Sequence, residues 1–202
     1  MAIIVDKEQK RTDIACACKE ILLENGIKNL TISHIAKTAG IGKGTVYEYF
    51  ENKEDIVFEI ITVFISEYEQ RLLEVLKKDI STKEKIFYFL YIGFEDEESK
   101  RQLTLYREFL AIAMTSGTEE MVTFNIECRN KFALLITDIF KDGIQRGDIC
   151  EGLEHLTSAL LAFKLGLIVE TQTANLDTQR EITTFLNLFY TLIEKRIRND
   201  NF

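Results

Sequence analysis

An all-α fold follows from three observations. The chain has 202 residues, no proline and only 10 glycines, so long helices are uninterrupted. Its apolar residues recur at three- and four-residue spacing through most of its length. The blocks they form open on Ser, Thr or Asn and several close on Gly, the usual start and stop signals of helices. At 46% hydrophobic and 29% charged residues, a sizeable core is expected and disorder is not. The pattern predicts nine helices: three short N-terminal ones forming a helix-turn-helix domain over residues 1–53, then a larger helical bundle over residues 54–202.

The first helix is expected over residues 11–25, with Ile14, Ala17, Cys18, Ile21 and Leu22 on one apolar face. Asn25-Gly26 stops it, Gly26 suiting a left-handed C-cap. Thr31 caps a second helix that buries Ile32, Ile35, Ala36 and Ala39. Gly40 supplies the positive φ that a tight helix-helix turn needs. A third short helix follows, carrying Lys43, Gly44, Thr45, Tyr47 and Tyr49, with Ile41, Val46 and Phe50 closing the small core. Ala36 is small where the helices cross. Two short helices joined at a glycine are the layout that places the second one in the DNA major groove.

The fourth helix opens at Asn52-Lys-Glu-Asp55, which resembles a capping box, and runs to about residue 78. Ser81-Thr-Lys-Glu84 is a second capping box, opening a helix to about 95. Others are expected at 98–115, from Thr118 to Gly147, and from Leu153 to Thr173, where Lys164 and Glu170 are the sole charges between His155 and Asp177. Thr178-Gln-Arg-Glu181 caps the last helix, whose stripe is Ile182, Phe185, Leu186, Phe189, Leu192, Ile193 and Ile197. The last two helices carry more apolar surface than a monomer's outer layer needs. A two-fold four-helix bundle would bury it, so the chain is expected to be a homodimer.

Charge supports the division. Residues 1–53 hold eight Lys/Arg and seven Asp/Glu, whereas residues 54–202 hold 17 and 26. The acidity lies outside the reading head, whose own net of +1 predicts modest, salt-sensitive DNA affinity. Lys43 can reach guanine O6 and N7. Gly44 lets the backbone approach the DNA, and Thr45 can bond a phosphate or rest its methyl on thymine. Tyr49 faces DNA or packs inward against the first helix. His34 faces solvent, with a phosphate contact as the second choice.

Other chemistry finds little support. No stretch of about 18 uncharged apolar residues suggests a membrane span, and the N-terminus is too soon charged for a secretory signal. The cysteines, Cys16, Cys18, Cys128 and Cys150, with His34 and His155, offer no zinc-ligand spacing. The cysteines read as small core hydrophobes or idle thiols in a reducing cytoplasm, with a redox-sensing role for one of them as the alternative. No nucleophile–base pair is evident, and Lys43-Gly44-Thr45 lacks the preceding glycine spacing of a P-loop. Neither an enzyme nor a cofactor is expected.

The run Thr31, Ile35-Ala36, Ala39-Gly40-Ile41, Lys43-Gly44-Thr45, Val46-Tyr47, Phe50 and Lys53-Glu54 resembles the DNA-binding region of the TetR family of bacterial transcriptional regulators. Gly42 departs from the Ser or Thr that many members carry, and is a weaker cap. The resemblance implies that Tyr47 contacts phosphate or base, and that Thr31 and Lys53 bind phosphate, Lys53 at a helix N-terminus. It implies that Leu165-Gly166-Leu167-Ile168 belongs to the dimer-forming eighth helix. It also implies an effector pocket among helices 5 to 8. The aromatics there, Phe87, Tyr91, Tyr106, Phe109, Phe124, Phe132 and Phe163, are candidate walls or ordinary core, and would suit an apolar or planar ligand. Arg107 and Glu108 point about 100° apart on one helix, so at least one can turn inward. The implied function is a ligand-released dimeric regulator, most often a repressor, on a palindromic operator of double-stranded DNA. The alternative is an architectural or partner-regulated DNA binder without a small-molecule effector.

Overall fold

The computed structural model describes residues 6–199, with side chains described to residue 191. Among them are nine α-helices and no strand. The helices are α1 (Lys7–Asn29), α2 (Ile32–Thr38), α3 (Lys43–Tyr49), α4 (Lys53–Leu76) and α5 (Thr82–Tyr91), then α6 (Glu97–Ser116), α7 (Glu119–Gln145), α8 (Thr157–Thr173) and α9 (Thr178–Asn199). Short 3-10 turns follow α5 and precede α8. No described helix is long and apolar enough to cross a membrane.

The chain forms two compact units. One comprises Met1–Tyr68 and Arg101–Thr118, the other Glu69–Lys100 and Glu119–Phe202. In the first, α1 buries Ile14, Ala15, Cys18 and Leu22. Ala17, expected on that face, is exposed, because the 14-18-22 row meets the core and Ala15 flanks it. The helix runs past its expected end to Asn29, but with a break at Gly26, where φ is +73°. Gly40 has φ +66° in the α2–α3 turn. Thr31 caps α2, its hydroxyl oxygen accepting from the His34 N–H at 3.2 Å. α3 has no side-chain cap, as expected of Gly42. Val46 and Phe50 are buried beneath it.

Half-buried charges fasten α1 to α4. The Arg11 guanidinium donates to both Asp55 oxygens, at 2.7 and 3.3 Å, and lies 4.6 Å from the Phe50 ring centroid. Asp55 holds the Arg11 pKa above its ordinary value, chiefly through this hydrogen bonding. Thr12 donates to Glu59 at 2.9 Å, and Lys19 to Glu67 at 2.6 Å.

In the second unit α5 packs against α7 and α9, and α7 against α8. The capping box at Ser81 and Glu84 is formed in both directions. A Cβ at Gly143 would stand 2.6 Å from Thr82 Oγ1, so only glycine lets α7 come this close to the start of α5. Asp148 anchors the same corner, accepting from the Thr82 hydroxyl at 2.8 Å and its amide at 3.2 Å. The cap of α9 is Asp177, which accepts from the Arg180 N–H at 3.1 Å. Thr178, expected to cap it, is buried as the first helical residue. The side chains of Leu192, Ile193 and Ile197 lie outside the described residues.

Candidate nucleic-acid interface and apolar cavity

The burial of Val46 and Phe50 turns the other side of α3 outward. Lys43, Gly44, Tyr47 and Glu48 are exposed together at i, i+1, i+4 and i+5, which is one face of a helix. Tyr47 is 59% exposed, unusual for so large a ring in a small domain. A Cβ on Gly44 would meet nothing within 4 Å, so its backbone is open to an incoming surface. Thr45 is half-buried beside this face.

The remaining predicted contacts flank α3. Thr31 is exposed at the start of α2, with its hydroxyl oxygen engaged in the cap. Tyr49 is half-buried, and its carbonyl accepts from the Arg11 guanidinium. Lys53 opens α4, is half-buried, and donates to the Ile27 carbonyl at 3.4 Å. His34, Lys28 and Lys37 are exposed on the same unit.

The second unit contains an apolar cavity of about 180 Å³ bounded by α5, α7, α8, α9 and the 3-10 turn before α8. Its walls include Ile86, Phe140, Leu160, Phe163, Phe185 and Phe189. Phe163 and Phe185 stack with centroids 4.4 Å apart, and Phe189 stacks on Phe185 at 5.7 Å. Of the seven aromatics proposed for a pocket from sequence, Phe163 alone lines this cavity. Phe87 and Tyr91 pair at 5.2 Å, half-buried on α5. Phe132 meets Phe89 edge-on at 6.5 Å, and Phe124 is half-buried on α7. Tyr106 and Phe109 belong to the first unit, where they stack at 6.3 Å and Phe109 meets Phe58 edge-on. Phe185 and Phe189 were legible only as members of an apolar stripe.

Lys164 is the unexpected charge. It is buried on α8, donates to the Phe89 carbonyl at 2.9 Å, and sits 4.4 and 4.9 Å from the centroids of Phe89 and Phe132. Burial drives its pKa well below the usual lysine range. Burial also pushes the thiols of Cys18 and Cys128 up to about 11, which keeps them unreactive. No group of three or more His, Cys, Asp or Glu among the described residues could hold a metal ion. Neither Arg107 nor Glu108 lines the cavity. Glu108 instead turns to the α1–α2 corner, accepting from the Ile27 and Lys28 amides.

These features have counterparts in known proteins. A sequence profile described as "Bacterial regulatory proteins, tetR family" matches residues 17–60, which span the helix-turn-helix. The fatty acid metabolism regulator protein of Bacillus subtilis is 28% identical over 96% of this chain and 98% of its own length. The crystal structure of the transcriptional regulator FadR from Bacillus subtilis in complex with stearoyl-CoA aligns at TM-score 0.60 and 26% identity, over 87% of this chain and 95% of that one. A TetR transcription regulator from Haloarcula marismortui shares the fold at TM-score 0.75 and 17% identity, over 92% and 98%. The exposed face of α3, the matching profile across it and the likeness along the whole chain agree: residues 17–60 carry the DNA-binding region of the TetR family of bacterial transcriptional regulators, and the chain as a whole is similar to such regulators.

Proposed function

We propose that this regulator is a homodimeric repressor that holds a palindromic operator until a long-chain acyl thioester releases it. The observation that carries the DNA half is the outward face of α3. In this reading Lys43 contacts guanine O6 and N7, and Tyr47 a phosphate or base edge. Thr31, Gly44, Thr45, Tyr49 and Lys53 flank them as positioning and phosphate contacts. Glu48 shares the exposed face. A carboxylate there repels the backbone and can accept from cytosine N4, which favours sequence reading over non-specific adhesion. In this reading residues 1–53 are the DNA-binding domain, and residues 54–202 serve the effector and the dimer.

The dimer reading rests on Leu165, Val169 and Leu188, which are 42%, 44% and 64% exposed on α8 and α9. A second copy would cover them. It would also present two α3 helices to half-sites roughly 34–36 Å apart, one turn of DNA, or a multiple of that. The effector reading rests on the cavity's apolar walls and on the full-length likeness to a fatty acid regulator. At about 180 Å³ the cavity is smaller than the roughly 300–1,000 Å³ of typical ligand sites. It suits the apolar end of a chain, and entry of more requires the helices to part.

Footprinting on the DNA upstream of its own gene is the test. Two protected half-sites are expected, and palmitoyl-CoA should release the protein where free coenzyme A does not. Absence of any footprint sinks the DNA reading. A footprint indifferent to saturating palmitoyl-CoA sinks the choice of effector.

A further inference from the structure

We infer that Glu108 on α6 is the positioning residue that seats the reading head, through a carboxylate clamp on the α1–α2 corner. Gly26 breaks α1 with φ +73°, and the peptides after it turn their N–H groups away from the helix ladder. Glu108 Oε2 accepts from the Ile27 N–H at 3.0 Å, and Oε1 from the Lys28 N–H at 3.3 Å. One carboxylate thus satisfies two amides that a break in a helix leaves without intrahelical partners. Bonds of this kind, with an ionised acceptor, are stronger than neutral ones.

The clamp continues to a predicted DNA contact. The Ile27–Lys28 peptide, held by Glu108 at the Lys28 N–H, offers its Ile27 carbonyl to Lys53 Nζ at 3.4 Å. Ile27 is itself buried, so the peptide cannot swing freely. Glu108, Ile27 and Lys53 form one chain of contacts from α6 to the first residue of α4. The α2 cap at Thr31 stands four residues beyond Ile27. Wherever α6 places its carboxylate, the corner and the Lys53 ammonium follow. The spacing around Gly26 is matched to this role. A Cβ there would lie 2.7 Å from Glu108 Oε2, so glycine serves the carboxylate as well as the backbone angle.

Two other polar contacts from α6, Gln102 to Glu67 at 3.1 Å and Arg101 to Glu20, join side chain to side chain. Arg101 meets Glu20 at 3.0 Å with both side chains largely exposed, and neither touches backbone in that pair.

The functional consequence rests on the DNA-binding reading, whereas the clamp itself does not. Amide hydrogen exchange and operator binding therefore test them separately. In Glu108→Ala, exchange at Ile27 and Lys28 should accelerate about tenfold or more, while protection in α4 and the rest of α1 holds. Affinity for duplex enriched by the wild-type protein from a random library should fall by about tenfold, on the same estimate for hydrogen bonds to a charged group. Glu108→Gln keeps one acceptor oxygen and should recover part of both losses. Arg101→Ala should change neither. Gly26→Ala should also speed exchange at the two amides; in a Glu108→Ala background the part due to the clash should disappear and the part due to the strain of φ +73° should remain. Unchanged exchange at Ile27 and Lys28 in Glu108→Ala overturns the clamp. So does acceleration spread evenly through the unit, which would mark Glu108 as ordinary packing. If exchange responds but operator affinity does not, the clamp has no part in seating the reading head. Failure of the wild-type protein to enrich any duplex counts against the DNA reading alone.

Discussion

The two units are held together by different physics. The first is fastened by charged groups reaching across long stretches of chain: Arg11 to Asp55, Lys19 to Glu67 and Glu108 to the Ile27 and Lys28 amides. Around them Phe50, Ile35, Leu22 and Ile60 are at most 1% exposed. The second unit also has long-range polar ties, buried Lys85 to Asp142 at 2.6 Å and Thr82 to Asp148 at 2.8 Å, but it adds stacked rings around a partly open apolar pocket and a buried lysine that donates to the Phe89 carbonyl. Directional contacts favour a single arrangement, whereas apolar contacts beside a pocket tolerate repacking.

Equal truncations should therefore cost unequally. Phe50→Ala removes a ring that is 1% exposed and lies beneath the Arg11 guanidinium. It should destabilise the first unit by about 3–5 kcal/mol. Phe185→Ala enlarges a cavity already present and removes a half-buried ring, so its cost should fall near the lower end of that range or below. Denaturant titration followed by hydrogen exchange assigns each loss to its unit. Equal costs would erase the contrast.

Arg11→Ala tests the polar fastening itself. It deprives Asp55 and Glu59, both half-buried, of their cation and uncovers the Phe50 face. A loss of about 2 kcal/mol is expected, between the limits for exposed and buried pairs. High salt should shrink the difference from wild type only slightly, because partly buried pairs are poorly screened. A loss that vanishes in salt would place these contacts with ordinary surface pairs.

The contrast also explains what could be read from the chain beforehand. Caps act over three residues, so Thr31 on His34, Asn52 on Asp55 and Ser81 on Glu84 were visible as local patterns. The buried row of α2 and the backing of α3 by Val46 and Phe50 follow from helical period alone. Glu108 and its amide partners are 80 and 81 residues apart, and periodicity placed Arg107 and Glu108 on different faces without saying what either face meets. The aromatic positions failed to resolve for a related reason. Fourteen Phe and seven Tyr satisfy the helical pattern in many combinations, and only packing decides that Phe163 joins Phe185 and Phe189. Lys164 stood out as one of two charges in an apolar stretch, but its burial was not legible, since a lone lysine on an apolar helix ordinarily reaches for water.

Lys164→Met should stabilise the second unit at neutral pH, by about 1 kcal/mol or more, since it removes a charge whose burial is costly. The pH dependence has a definite sign. The folded lysine titrates well below 10.5, so the unfolded chain binds more protons between the two values. Wild-type stability must then rise with pH through that window and level off near 10.5. The methionine variant should lose this rise. Parallel pH profiles for the two proteins would show that Lys164 is solvated after all.

The smallest effect is also the one that separates the units by sign. Ala36 is 5% exposed where α2 packs into the first unit, and Ala159 lines the cavity on α8. Ala36→Leu forces extra carbons into a filled space and should cost about 1–3 kcal/mol. Ala159→Leu places the same carbons in a void, and cavity filling of this kind commonly gains about 0.5–2 kcal/mol. The lower end is expected, because Ala159 stands at the exposed rim and a leucine there fills only part of the space. The substitution should also blunt any response to palmitoyl-CoA while leaving DNA affinity untouched, since α3 lies in the other unit. A destabilising Ala159→Leu would mean that the walls close on this site as tightly as α2 closes on Ala36. The adaptable character assigned to the second unit would then have to be located elsewhere than in this void.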